Sequence, residues 1–214
     1  MASAQRKGIL HFLCPLLLGF SLLWPGHSKA EFRIATSAGL NICSPDQGAD
    51  CESIKPSGFL SLGIEYRFLR YFGIGLDYDY GWLNPEAEDI QITSSHFMPM
   101  LRAHYPLPNQ PWELHLGLGM GYADLEAKAE GDSDAFYTFA NPWTSLKTTI
   151  GMLYRFSEEL AVGGVFNFYS HRGGERCLVH PIGQENCKKL EELEGPDQAV
   201  ADLSQLGVIA RYGF

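Results

Sequence analysis

The sequence predicts an all-β fold, an eight-stranded antiparallel up-and-down transmembrane β-barrel, and three observations predict it. Apolar and polar residues alternate with a period of two in repeated segments through residues 31–214. No apolar run in that region approaches the roughly 20 residues a helical span requires. Short and long connections between the alternating segments follow one another strictly, as they do when a chain crosses a membrane with tight turns on one side and loops on the other. The composition agrees. With 45% hydrophobic, 13% aromatic and 19% charged residues, the chain is too apolar for disorder. Its formal net charge of −9 argues against a nucleic-acid partner, which would need basic patches for phosphates. A mean hydropathy of −0.10 resembles that of a soluble protein, but an alternating barrel cancels its own average.

Residues 1–30 read as a cleaved signal peptide: Arg6 and Lys7, an apolar stretch from Ile9 to Trp24, a Pro25-Gly26 break, and Ser28-Lys29-Ala30 as a cleavage site. Cleavage after Ala30 leaves a barrel domain at 31–214 with 13 basic and 25 acidic residues, a net −12. Four cysteines remain in two local pairs, Cys43 with Cys51 and Cys177 with Cys187. An exported chain matures under oxidising conditions, so each pair is expected as a disulfide. No CxxC zinc pattern occurs, and neither metal nor cofactor is expected.

The first segment, about Phe32–Ile42, alternates weakly. In the second, Leu60, Leu62, Ile64, Tyr66 and Phe68 oppose Ser61, Gly63, Glu65 and Arg67. In the third, Phe72 through Trp82 at even positions oppose only glycine and aspartate, including Asp77 and Asp79. The fourth, about Ile92–Tyr105, contains Pro99, which cannot donate to a ladder and predicts a bulge or an open stretch. The fifth sets Trp112 to Tyr122 at even positions against Glu113, His115 and three glycines. The sixth, Leu146–Phe156, carries Lys147 and Arg155 on its polar face; the seventh, about Leu160–Tyr169, alternates weakly; the last sets Leu206 to Phe214 against Gln205, Gly207, Ile209, Arg211 and Gly213. Short turns fall near Leu69-Arg70, Pro106–Pro111 and Ser157-Glu158-Glu159, and four long external loops near 43–58, 83–91, 123–142 and 170–202.

Periodicity does not say which face points inward, and a soluble lipocalin-like exported binding barrel would invert the arrangement. The membrane version is favoured by glycine on the polar face and by charges of both signs there. Glu65, Arg67, Asp77, Asp79, Arg102, Glu113, Lys147, Arg155 and Arg211 form a candidate lumen network in which enclosed charges can pair. Aromatics also sort into two girdles, Tyr66, Phe68, Phe72, Trp112, Tyr154, Phe156, Tyr212 and Phe214 toward the short turns and Tyr78, Tyr80, Trp82, Tyr122 and Trp143 toward the loops.

The leader, the eight segments and the ending Ile209-Ala210-Arg211-Tyr212-Gly213-Phe214 resemble the small eight-stranded outer-membrane barrels of the OmpA/OmpX type, the outer membrane protein beta-barrel superfamily. The resemblance implies the cell outer membrane of a Gram-negative bacterium, with outer-membrane lipids and lipopolysaccharide as partners. It also implies that the barrel-assembly machinery reads the C-terminal strand through Tyr212 and Phe214, although Ile209 stands where that signal usually has glycine. Members include structural proteins, adhesins and lipid A-modifying enzymes. The expected function is a structural or surface-interaction role around a side-chain-filled lumen, with no wide pore and no catalytic residues. The rival is a lipid A-modifying enzyme, with Ser94, Ser95, His96, Ser170 and His171 as the candidates, none within a nucleophile motif. The acidic loops, with Asp124, Glu126, Asp132 and Asp134 in the third and Glu175, Glu185, Glu191 and Glu192 in the fourth, are expected as a solvated face. They could also bridge divalent cations to lipopolysaccharide or meet an extracellular ligand. Lys188–Glu194 is expected as a short helix.

Overall fold

A computed structural model describes residues 31–44, 54–85, 90–129, 136–171, 175–179, 185–189 and 202–214. These form strands and tight turns: β1 Glu31–Ser44, β2 Ile54–Lys55, β3 Ser57–Leu69, β4 Phe72–Pro85, β5 Ile90–Pro106, β6 Trp112–Ala129, β7 Phe136–Arg155, β8 Leu160–His171, β9 Glu175–Val179, β10 Glu185–Lys189 and β11 Asp202–Gly213. Eight of them, β1, β3 to β8 and β11, pair antiparallel around a ring, and β11 closes it against β1 from Arg33↔Gly213 to Ser44↔Asp202. Closure removes the open edges that a sheet in lipid could not leave unpaired.

The alternation sets the faces. Phe32 and Val208 are each 62% exposed and Phe214 74%, whereas Asp79 is 0%, Lys147 1% and Glu113 2% exposed. Apolar side chains therefore cover the outside and polar ones fill the inside, which excludes the inverted lipocalin-like arrangement. Two apolar patches also lie inside: Leu83, Met98, Met100, Tyr169 and Leu203 toward the loops, and Leu153, Ala161, Val165 and Ile209 toward the short turns.

Pro99 has a simple consequence. It pairs with Leu76 on β4, but the β5–β6 ladder passes from Phe97↔Tyr122 to Met100↔Gly119 with its offset unchanged. The ladder is open there rather than bulged, as a missing N–H requires. A true shift occurs between Gly121 and Ala123 against β7, close to Pro142 of that strand.

Two expectations are corrected. Most of the loop expected at 123–142 is a continuation of β6 and β7, paired from Ala123↔Asn141 to Lys128↔Phe136. The alternation of Asp124, Glu126 and Lys128 with Leu125, Ala127 and Ala129 continues the strand pattern to the end of β6. Within the expected fourth loop, β9 and β10 form a hairpin whose β9 adds to the extended β7 between Phe136↔Val179 and Ala140↔Glu175. Lys188 and Lys189 are thus strand and not helix, because a ready partner supplies the backbone bonds that one isolated helical turn lacks; positions 190–194 lie outside the described residues.

The short-turn end is tied tightly. Asn109 takes φ 56°, a left-handed conformation asparagine tolerates, between Leu107 and Trp112, whose backbone groups bond at 2.9 Å. The Ser157 hydroxyl accepts from the backbone N–H groups of Glu159 and Leu160 at 3.2 and 3.0 Å. It also donates to the Glu159 carboxylate at 2.8 Å, which holds that carboxyl below its usual range.

Candidate functional site

The barrel places charges from six strands in one enclosed chain. Near the short-turn end, Arg211 on β11 donates through Nη2 to Glu113 Oε1 on β6 at 2.6 Å. His104 on β5 then bridges two carboxylates, with Nδ1 3.0 Å from Glu113 and Nε2 2.6 Å from Glu65 on β3. Arg102 continues the chain, 3.5 Å from Glu65 and directly bonded to Asp77 on β4. From the opposite wall, Lys147 on β7 crosses the lumen to Asp77 at 2.8 Å and to both oxygens of Asp79 at 2.8 and 3.0 Å.

Two features of the sequence permit this. Parity directs these residues inward, and glycine at the facing positions leaves room for long side chains. A Cβ on Gly75 would lie 2.6 Å from Arg102 Nη1, and one on Gly63 3.2 Å from Arg102 Nη2. Charges enclosed in so narrow a space persist only when paired and hydrogen-bonded. Three cations, Arg211, Arg102 and Lys147, face four carboxylates with His104 between two of them.

Toward the loops most of the polar contacts join neutral groups. Thr149 donates to Asn167 at 2.9 Å, Asn167 to Gln205 at 3.2 Å, and the Tyr169 hydroxyl to Gln205 at 3.1 Å. The Nε2 atoms of His96 and His171 stand 3.2 Å apart, and the His171 N–H donates to Asp202 at 3.0 Å. The mid-barrel void among Asp77, Arg102, Lys147 and Thr149 measures about 20 Å³, enough for a single water. Side chains thus fill the centre of the barrel.

Seven of the nine charges proposed for the lumen meet: Glu65, Asp77, Asp79, Arg102, Glu113, Lys147 and Arg211. Arg67 and Arg155 do not join them. Both are half-buried at the short-turn mouth, where Arg67 Nε donates to the Leu69 carbonyl at 3.3 Å and Arg155 Nη2 to the Gln110 carbonyl at 3.2 Å. Their strands end there, so inward parity directs them to the rim. Sequence reasoning missed His104, although the signal was present: it follows Arg102 by two residues and shares its face. It also missed the pairing of His96 with His171, since nothing in a sequence brings β5 against β8 across a lumen.

Cys177 and Cys187 stand directly opposite each other in the β9–β10 register. Cys43 lies at the outer end of β1, opposite Leu203, and Cys51 lies outside the described residues. Tyr212 and Phe214 both face outward and meet edge to face with ring centroids 5.0 Å apart; the Phe214 N–H donates to the Phe32 carbonyl at 2.9 Å. Of the loop acids, Asp124 and Glu126 sit on the outer extension of β6. Partial burial, with Glu126 nearby, pushes the Asp124 carboxyl up. Asp132, Asp134, Glu191 and Glu192 lie outside the described residues.

No curated protein sequence matches this chain. Among solved structures, neisserial surface protein A is similar with a TM-score of 0.58 at 15% identity, over 87% of this chain and 100% of that one. A major outer membrane protein from Thermus thermophilus is similar at 0.54 and 13% identity, over 87% and 100%. The attachment invasion locus protein Ail of Yersinia pestis is similar at 0.52 and 12%, over 87% and 99%. At these identities the likeness is one of fold. The model of the outer membrane protein beta-barrel domain matches residues 12–188, and with the closed eight-stranded ring and its outward apolar face, the chain belongs to that family.

Proposed function

We propose that this chain is an integral protein of the Gram-negative outer membrane. In this reading a rigid, plugged barrel displays its outer hairpins and loops at the cell surface in a structural or surface-interaction role. The observation that carries it is Lys147 reaching across the lumen to Asp77 and Asp79, with only about 20 Å³ left beside them. An eight-stranded interior is just wide enough for side chains, and here they fill it.

The remaining parts follow from the same orientation. Residues 1–30 direct export and are removed after Ala30. The outward face contacts outer-membrane lipids, and the loop acids meet lipopolysaccharide through divalent cations. Tyr212 and Phe214 are presented to the barrel-assembly machinery. Disulfides between Cys177 and Cys187 and between Cys43 and Cys51 stiffen the outer segments; the cross-strand register of Cys177 and Cys187 supports the first. Against the lipid A-modifying reading, His96 and His171 are buried on the lumen side at 1% and 7% exposure, while Ser95 and Ser170 take the lipid-facing parity. Among the described residues, the Ser94 hydroxyl, on the lumen side, has no hydrogen-bond partner.

Planar-bilayer recording of the refolded protein is expected to show no large, ohmic conductance steps; porin-sized steps would overturn the plugged-barrel reading. Deleting 172–199 is expected to leave a heat-modifiable barrel while removing any adhesion the protein confers, and adhesion that survives would clear that loop of the role. Lipid A mass spectra of cells with and without the protein are expected to match. A change in acylation would establish the enzymatic reading instead.

A further inference from the structure

The short-turn mouth of the barrel opens into a vestibule of about 710 Å³, within the usual size of a small-ligand site. Its chemistry differs from that of the rest of the chain. Residues 31–214 are strongly acidic, yet five of their eight arginines, Arg33, Arg67, Arg70, Arg155 and Arg211, line this one cavity.

The lumen arginines are matched by carboxylates, and most of these are not. Arg211 is taken by Glu113. Among the described residues, however, Arg67, Arg70 and Arg155 have no carboxylate within ion-pair distance. Arg33 is 7% exposed and gives one bond to Glu31 at 2.8 Å; among the described residues its Nε and Nη1 are buried without a partner. The Nε of Arg155 is likewise buried and unpaired. The other acids of the mouth, Glu158 and Glu159, lie on the exposed turn. Single contacts to backbone carbonyls fix Arg67 and Arg155, and Arg70 is held over the Tyr71 ring with its central carbon 5.3 Å from the centroid. Each guanidinium is thus oriented and retains free donors.

Clustered like charges are unfavourable without a counter-charge, and a planar guanidinium fork matches a tetrahedral oxyanion through paired N–H donors. We infer that the short-turn mouth is a binding site for a phosphate-bearing group, held by Arg33, Arg67, Arg70 and Arg155. The phosphate has two available sources. One is the headgroup of a lipid in the adjacent leaflet, because Tyr71 and Tyr105 line the same rim. The other is a soluble phosphate ester.

The test follows the arginine Nε–Hε resonances of labelled protein in an uncharged maltoside detergent during titration with inorganic phosphate, against chloride at equal ionic strength. Saturable shifts are expected for Arg33, Arg67 and Arg155 and not for Arg102. R67Q/R155Q, with its fold checked by heat-modifiable mobility, is expected to weaken binding at least tenfold, whereas K188Q on β10 leaves it unchanged. In a parallel arm, nanodiscs of phosphatidylglycerol are compared with phosphatidylcholine. If phosphatidylglycerol moves the same resonances and blocks free phosphate, the source is a headgroup; if only free phosphate moves them, it is a soluble ester. Shifts no larger than those with chloride in both arms, or undiminished shifts in R67Q/R155Q, would overturn the proposal.

Discussion

Lys147 shows how one residue fixes the interior. It leaves the β7 wall, passes the face of Tyr169 with Nζ 5.5 Å from the ring centroid, and ends between two carboxylates of β4. Lys147→Met keeps the aliphatic volume and removes the charge, so Asp79 loses the cation bonded to it while Asp77 keeps only Arg102. Uncompensated buried charge typically costs about 3–5 kcal/mol. Urea unfolding in vesicles is expected to show a loss of that order, and Lys147→Met combined with Asp79→Asn is expected to recover part of it. Unchanged stability in the single variant would mean that the carboxylates are solvated in a wet lumen. The inward position of Lys147 was legible from parity alone. Its partners were not, because they sit on β4, across the barrel, and no local pattern encodes which strands face each other.

At the scale of the element, legibility followed the strength of the alternation. β4 and β6 have faces so unequal that their parity could be read without ambiguity. β5 was harder, because Pro99 interrupts it and because Ser94, His96 and Met98 make a mixed inner face. The outer ends of β6 and β7 read as loop although alternation continues to Ala129; the acids of that stretch resemble loop residues, yet strands that rise beyond lipid carry such residues at no cost. The open β5–β6 ladder leads to a prediction of its own. Pro99→Val supplies an N–H where the ladder is interrupted, and one recovered hydrogen bond contributes about 0.5–1.5 kcal/mol. Hydrogen exchange of the amides at Met98, Met100 and Gly119–Gly121 is expected to slow by up to about tenfold. Exchange that is unchanged or faster would show that the opening is set by the close approach of Gly119 and Gly121 to β5 rather than by the proline.

The whole molecule combines two solvents in reverse order. Lipid takes the place of a core on the outside, and a network of paired charges takes the place of water on the inside. Backbone closure, outward apolar parity and inward glycine are consistent with one another, and that consistency made the fold class readable from the sequence before any contact was known. The two mouths then differ. The loop end carries the acidic extensions, while the short-turn end gathers arginines, an asymmetry that appears only when strands distant in sequence are brought to one rim.

Met100 and Leu101 provide the most direct measurement of this arrangement. They are neighbours at one depth near the middle of β5, but Met100 is 4% exposed and Leu101 54%. In an otherwise tryptophan-free protein folded into vesicles, Leu101→Trp is expected to be strongly quenched by lipids brominated at mid-chain, and Met100→Trp to be nearly unquenched. Equal quenching at both positions, or stronger quenching at Met100→Trp, would contradict the outward-facing apolar surface.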